Sequence, residues 1–240
     1  MSILNRIPGY WPLTDAVAEV RRSAGSPRRR YRVYTTTSSY LGKNAVRKLH
    51  IGCGKNQLRG WLNSDFYPDP KNDPNIIHLN ATKRFPFRDE TFHYVFNEHL
   101  IEHLTYPDGL RMLQECRRVL QKNGRVRVST PDLKFVVGLY SDDKSELQTN
   151  YIKWASDEFI KNGEYTDTMV INNFVRAWGH LFIYDKKTLI RSLELAGFVE
   201  VIACNINESP DDNLRDLEND GRMPAGYLQL ETFTLEASKP

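Results

Sequence analysis

A glycine turn and the acid that ends the next apolar run are the first residues in this chain with chemistry in them. Ile51-Gly52-Cys53-Gly54 closes the strand-like run Lys48–Ile51, and Asp65 lies at the end of the run Trp61–Phe66. Glycines after a first strand let backbone approach a ligand closely, and a carboxylate at the next strand end can accept both hydroxyls of a ribose. Ligands of an open parallel sheet bind outside the carboxyl ends of its strands. The spacing argues against a dinucleotide enzyme, which needs G-x-G-x-x-G and an acid about 20 residues on. Here Lys55-Asn56-Gln57-Leu58 follows Gly54, and Asp65 stands 11 positions beyond it. The first crossover helix must be one turn or absent.

A second cluster is His99-Leu100-Ile101-Glu102-His103, which spells H-x-x-E-H. On a helix, His99 and His103 would share a face and hold zinc, with Glu102 as base. That makes a zinc hydrolase the sharpest alternative function. It requires a helix through residues 97–105. Phe92–Asn97 is strand-like, however, and Thr105 with Pro107 marks a helix start, so the segment reads as a strand exit and turn. No third ligand is assigned, and no metal is expected. A non-catalytic nucleotide-fold binding module is the other alternative.

These residues need elements to position them. The chain has 240 residues, 40% hydrophobic and 26% charged, enough for one large domain with a proper core. No apolar stretch approaches a membrane span, and residues 1–22 lack a signal-peptide core. Cys53, Cys116 and Cys204 are odd in number and widely spaced, so neither disulfides nor a metal knuckle is expected, and a cytoplasmic location fits. Charge is uneven: residues 1–50 hold ten Lys/Arg against Asp15 and Glu19, while residues 205–240 hold eight acids against three cations. Arg21, Arg22, Arg28, Arg29, Arg30 and Arg32, broken by Gly and Pro, read as a mobile basic arm over residues 1–40. We read the arm as a solvated linker in preference to a contact for an anionic surface. Nucleic acid is not the expected partner.

Beyond Arg47, short apolar runs alternate with helical stretches, the signature of a parallel α/β sheet. Seven strands are expected: Lys48–Ile51, Trp61–Phe66, Asn75–Asn80, Phe92–Asn97, Arg125–Thr130, Val199–Asn205 and Leu228–Ala237. Thr105–Gln121 is a helix capped by Thr105 and stopped by Gly124. Asp185–Ala196 is another, capped by Asp185 and ended by Gly197. Residues 132–182 are an aromatic-rich helical insertion after the fifth strand.

Ile51-Gly52-Cys53-Gly54 resembles the first motif of class I, Rossmann-like S-adenosylmethionine-dependent methyltransferases. Phe85-Pro86-Phe87-Arg88-Asp89-Glu90-Thr91-Phe92-His93-Tyr94-Val95 is similar to that family's approach to strand four, and Asn97–Leu104 to its exit. Arg118-Val119-Leu120-Gln121-Lys122-Asn123-Gly124 and Leu193-Glu194-Leu195-Ala196-Gly197-Phe198 resemble two later motifs, so the likeness spans roughly residues 47–205. The Gly60-Trp61-Leu62-Asn63-Ser64-Asp65 form resembles a bacterial subgroup linked with surface-polysaccharide synthesis. The resemblance implies a seven-stranded, mostly parallel Rossmann-like sheet with helices on both faces. It implies S-adenosylmethionine as cofactor in a methyltransferase domain over residues 41–240, with 132–182 on the acceptor side. Gly52 and Gly54 would face the methionine part, Asp65 the ribose, Asn80 and Ala81 the adenine, and Asn97 the sulfonium. Asn80 and His93 depart from the pattern, standing where the family usually has Asp.

The implied reaction is methylation of a small-molecule or glycan acceptor, with a sugar hydroxyl favoured. Transfer to oxygen needs an in-line approach and usually a base. His180, in Ala177-Trp178-Gly179-His180-Leu181-Phe182, is the first catalytic candidate and His99 the second, because aromatics beside a histidine suit sugar stacking and proton removal. The insertion carries Tyr140, Tyr151, Trp154, Phe159, Tyr165, Phe174, Trp178 and Phe182 as the expected acceptor wall.

Overall fold

The computed structural model describes residues 27–68 and 75–240. Arg21, Arg22 and the rest of residues 1–26 lie outside them. The chain divides into two units, Met1–Lys43 and Asn44–Pro240. In the first, Pro27–Lys43 is a single helix, α1. Proline presets the first helical φ, and arginine is a good helix former. Arg28, Arg29, Arg30 and Arg32 therefore sit on a helix where the sequence suggested a mobile arm; the breakers Gly25 and Pro27 stand before them rather than among them.

The second unit is built on β1 (Lys48–Ile51), β2 (Leu62–Asp65), β3 (Ile77–His78), β4 (Phe92–Glu98), β5 (Leu120–Pro131), β6 (Val199–Cys204) and β7 (Thr232–Ser238). They form one seven-stranded sheet in the order β3-β2-β1-β4-β5-β7-β6. The pairs from β3 through β5 are parallel, and β7 runs antiparallel to both neighbours. This is the mostly parallel Rossmann-like sheet that the alternation of apolar runs and helices implies. Its helices are α2 (Tyr106–Val119), α3 (Leu133–Gly138), α4 (Glu146–Ala155), α5 (Asp167–Arg176), α6 (Lys186–Leu195) and α7 (Tyr227–Glu231). Thr105 caps α2 by accepting from the Asp108 amide, and Asp185 caps α6 through Thr188.

Three strands differ from their sequence reading. β5 starts at Leu120 rather than Arg125, so α2 ends at Val119 and Gly124 lies within the strand instead of stopping the helix. β3 is only Ile77–His78 of the expected Asn75–Asn80. The last strand starts at Thr232, because Tyr227–Glu231 turns as α7 after Gly226, whose φ is 85°. Tyr227 and Leu228 are buried there without the strand alternation their types suggested.

No helix joins β1 to β2, so Trp61 and Phe96 need another cover. The chain between β6 and β7 supplies it: Leu214 and Leu217 pack against Trp61 and Phe96, with Leu58 and Tyr94 at the margin. This cover is pinned by Arg127 of β5, which has no solvent exposure. Its Nε donates to Glu218 at 2.7 Å and its Nη1 to Glu236 at 2.6 Å. Glu236 is its register partner on β7. Among the described residues, no helix is long and apolar enough to cross a membrane.

Candidate functional site

Parallel pairing brings the strand ends to one edge. Ile51 lies opposite Ser64 and Asn97, and Asp65 opposite His78. Gly52 and Gly54 both turn with positive φ, 70° and 49°. A Cβ on Gly52 would lie 2.9 Å from Leu100 Cδ1, whereas one on Gly54 would enter open space. Asp65 ties the turn to β2: its Oδ2 accepts from the Gly54 amide at 3.0 Å and its Oδ1 from the Tyr67 amide at 2.8 Å. Each carboxylate oxygen keeps acceptor capacity beyond that bond. Asn97 is fully buried, and neither Oδ1 nor Nδ2 has a hydrogen-bond partner among the described residues. An unsatisfied buried amide is costly, so this one points to a ligand group. Asn80, past β3, holds a turn: its Oδ1 accepts from the Thr82 amide at 2.9 Å and hydroxyl at 2.8 Å. The carbonyl expected to meet an adenine amino group is thus engaged locally, beside buried Ala81.

Along the same edge, past β4 and β5, lies a cavity of about 510 Å³. Its floor is polar. His99 leaves β4 with a φ of 47°, and Ile101–His103 is a single 3-10 turn. No α-helix carries the H-x-x-E-H residues, so the helical zinc geometry that spacing offered is absent. Glu102 is fully buried; its Oε2 accepts from Thr130 Oγ1 at 3.1 Å, while Oε1 has no hydrogen bond. That free oxygen lies 3.5 Å from His99 Nδ1 and 4.0 Å from His103 Nε2. Burial pushes the Glu102 carboxyl up to about 8. His99 Nε2 pairs with Thr232 Oγ1 at 2.7 Å. Burial holds the imidazoles of His99, His103 and His180 below the usual histidine range.

His180 lies across from His103, with ring centroids 5.0 Å apart. Its Nδ1 is 2.6 Å from the Phe174 carbonyl, which fixes Nδ1 as the donor and leaves Nε2 with its lone pair. Trp178 (φ 57°) and Gly179 (φ 80°) form the left-handed turn that delivers His180. The structure therefore brings His99, Glu102, His103 and His180 to one cavity.

Of the expected aromatic wall, Tyr151, Trp154, Phe159, Phe174 and Trp178 line this cavity. Tyr140 and Tyr165 are exposed elsewhere and Phe182 packs on Tyr106 and Tyr184, so these three do not. The insertion is also not the whole wall: Arg222, Met223, Pro224 and Glu231 line it from the chain between β6 and β7. Glu231 returns to the end of β5, where its carbonyl accepts from the Asp132 amide at 2.8 Å. Its Oε2 accepts from Tyr151 Oη at 2.5 Å. Arg222 sits 3.6 Å from Glu98, which also accepts from Asn56 and the Asn219 amide. No motif marks these four positions; the charge excess of the C-terminal segment was the one visible sign.

A glycine turn, an acid at the next strand end and an adjoining cavity make one edge of this α/β sheet the candidate ligand site. Residues 49–128 match the family model described as a methyltransferase domain. The matched segment carries Gly52, Gly54, Asp65 and Asn97. No match to a curated protein sequence is found. Among solved structures, a SAM-dependent methyltransferase from Archaeoglobus fulgidus aligns at TM-score 0.49 and 14% identity, covering 88% of this chain and 94% of that one. One from Thermotoga maritima, described as a possible histamine N-methyltransferase, gives 0.47 and 16%, covering 81% and 82%. Phosphoethanolamine N-methyltransferase 2 of Haemonchus contortus, solved with S-adenosyl-L-methionine, gives 0.44 and 13%, covering 82% of this chain and 49% of that one.

Proposed function

We propose that the chain methylates a hydroxyl of a sugar or similar small acceptor, in the manner of the surface-polysaccharide subgroup its sequence resembles. The observation that carries this reading is the union of two sites on one edge: the strand ends at Gly52, Gly54, Asp65 and Asn97, and the aromatic cavity beside them. The open space at Gly54 and the unpartnered amide of Asn97 fit a bound cofactor. S-adenosylmethionine, when bound, supplies a methyl group on a sulfonium centre. The Gly52–Gly54 backbone would face its methionine part, Asp65 would accept from the ribose hydroxyls, and Asn97 would meet the sulfonium side. Asn80 and Ala81 would border the adenine.

Trp154, Phe159 and Trp178 offer flat faces on which a sugar ring can stack, and the acids offer acceptors for its hydroxyls. His180, with Nε2 bearing a lone pair, would take the proton of an acceptor hydroxyl, and His99 would do so where His180 is otherwise engaged. S-adenosylhomocysteine should bind, as read by calorimetry. Absence of binding at millimolar ligand would refute the reading. His180→Ala should keep that affinity while lowering turnover about 10²–10⁴-fold, the usual worth of a general base.

A further inference from the structure

We propose that Glu102, His103 and His180 form a binding site for a divalent transition-metal ion on the floor of the acceptor cavity. One donor atom from each of the three lies within 4.8 Å of the other two. Around a tetrahedral ion with bonds of about 2.0–2.1 Å, donors sit about 3.3 Å apart, so small side-chain rotations close the set. The motif places only two of these residues in sequence; the third comes from the Trp178 turn, far along the chain.

Three independent observations point to a ligand. The first is Glu102 Oε1, a carboxylate oxygen with no hydrogen bond, fully buried and on the cavity lining. Such an oxygen is costly unless something positive meets it. The second is the way the imidazoles are held. His180 Nδ1 is committed to the Phe174 carbonyl, and His103 has its Nδ1 edge turned toward Gly179. His103 Nε2 then faces Glu102 Oε1 at 4.0 Å. Metal-binding histidines characteristically anchor one nitrogen on a carbonyl or carboxylate and present the other. The third lies outside the triad: the cavity lining carries two further carboxyl groups, Glu158 and Glu231, against one guanidinium, Arg222.

Two imidazoles and one carboxylate suit zinc and its first-row neighbours rather than magnesium or calcium, which favour oxygen donors. Three protein ligands leave at least one position for a solvent or acceptor oxygen, as in catalytic sites. That use by an acceptor rests on the methyltransferase reading; the site itself does not. His180 would then act as a ligand, not as a proton acceptor.

The test uses the full chain stripped with a chelator, titrated with Zn²⁺ against a chromophoric competitor and with Co²⁺ by visible absorption. One Zn²⁺ per chain at micromolar affinity or tighter is expected, with a Co²⁺ spectrum of low coordination number. Glu102→Gln and His180→Ala should each weaken Zn²⁺ at least tenfold, while His93→Asn, remote from the cavity, should not. Circular dichroism of each variant checks folding. Absence of stoichiometric Zn²⁺ binding by the folded wild type would overturn the site. Undiminished binding by folded His180→Ala would also overturn it, and would return His180 to the role of base. S-adenosylhomocysteine affinity, measured on the same samples, reports separately on the methyltransferase reading.

Discussion

Asp65 holds two backbone amides and stands at the strand end where a ribose would lie. The two duties can be separated. Asp65→Ala removes acceptors from Gly54 and Tyr67, so some loss of stability is expected in any case. If the carboxylate also binds ribose, S-adenosylhomocysteine affinity falls by a further ~1–3 kcal/mol. Calorimetry on the folded variant reads this directly, and an unchanged affinity would confine Asp65 to the turn. His50 gives a second prediction, in the core beneath the site. Its Nδ1 meets Asn63 Oδ1 at 3.2 Å, and burial lowers its pKa from 6.5 to about 4. The unfolded chain then binds the extra proton first, so His50 costs nothing above pH 6.5, and stability falls as pH drops from there through about 4. Between pH 7.5 and 5 that contribution is about 2 kcal/mol. Urea unfolding at the two pH values should show a fall of at least that size, to which His99, His103 and His180 add, and His50→Gln should shrink it by about 2 kcal/mol. An equal fall in the variant would assign the acid sensitivity to other groups.

Short parallel strands were legible because, buried on both faces, they read as apolar runs. Lys48–Ile51, Leu62–Asp65 and Phe92–Glu98 emerge from the sequence within a residue of their observed limits. The caps Thr105 and Asp185 were legible because side-chain chemistry marks them locally. The cover over Trp61 and Phe96 was not. Leu214 and Leu217 carry no helix or strand period, and their partners lie more than a hundred positions earlier. His103 and His180 meet for the same tertiary reason, with no local pattern to announce it. The cover depends on Arg127, whose guanidinium is fully buried against Glu218 and Glu236. Removing one member of a buried ionic group leaves the others unpaired and typically costs 3–5 kcal/mol. Arg127→Ala should therefore destabilise the fold by about that amount and expose residues 205–222 to protease. A cost below about 1 kcal/mol in urea unfolding would show that water already satisfies these carboxylates.

At the scale of the whole chain, the site residues all belong to one unit. Gly52, Asp65, Asn97 and the described cavity lining lie within Asn44–Pro240. The other unit, Met1–Lys43, carries eight cationic residues against Asp15 and Glu19. Removing it turns the formal net charge from +3 to −3. A change of that size alters long-range attraction for an anionic ligand, which salt screens within about 8–10 Å. It does not alter hydrogen bonds at the strand ends. A chain starting at Asn44 should thus bind S-adenosylhomocysteine as the full chain does at 150 mM salt. At a ligand concentration 100 times Kd, linkage adds about 2.7 kcal/mol, and for a domain of this size each kcal/mol is worth roughly 2–4 °C in Tm. Both chains should therefore show the same rise of about 5–10 °C in a thermal melt. A truncated chain that is folded but shows no rise would mean that residues 1–43 complete the cofactor site. A rise that differs only at low salt would instead assign those residues to electrostatic attraction alone.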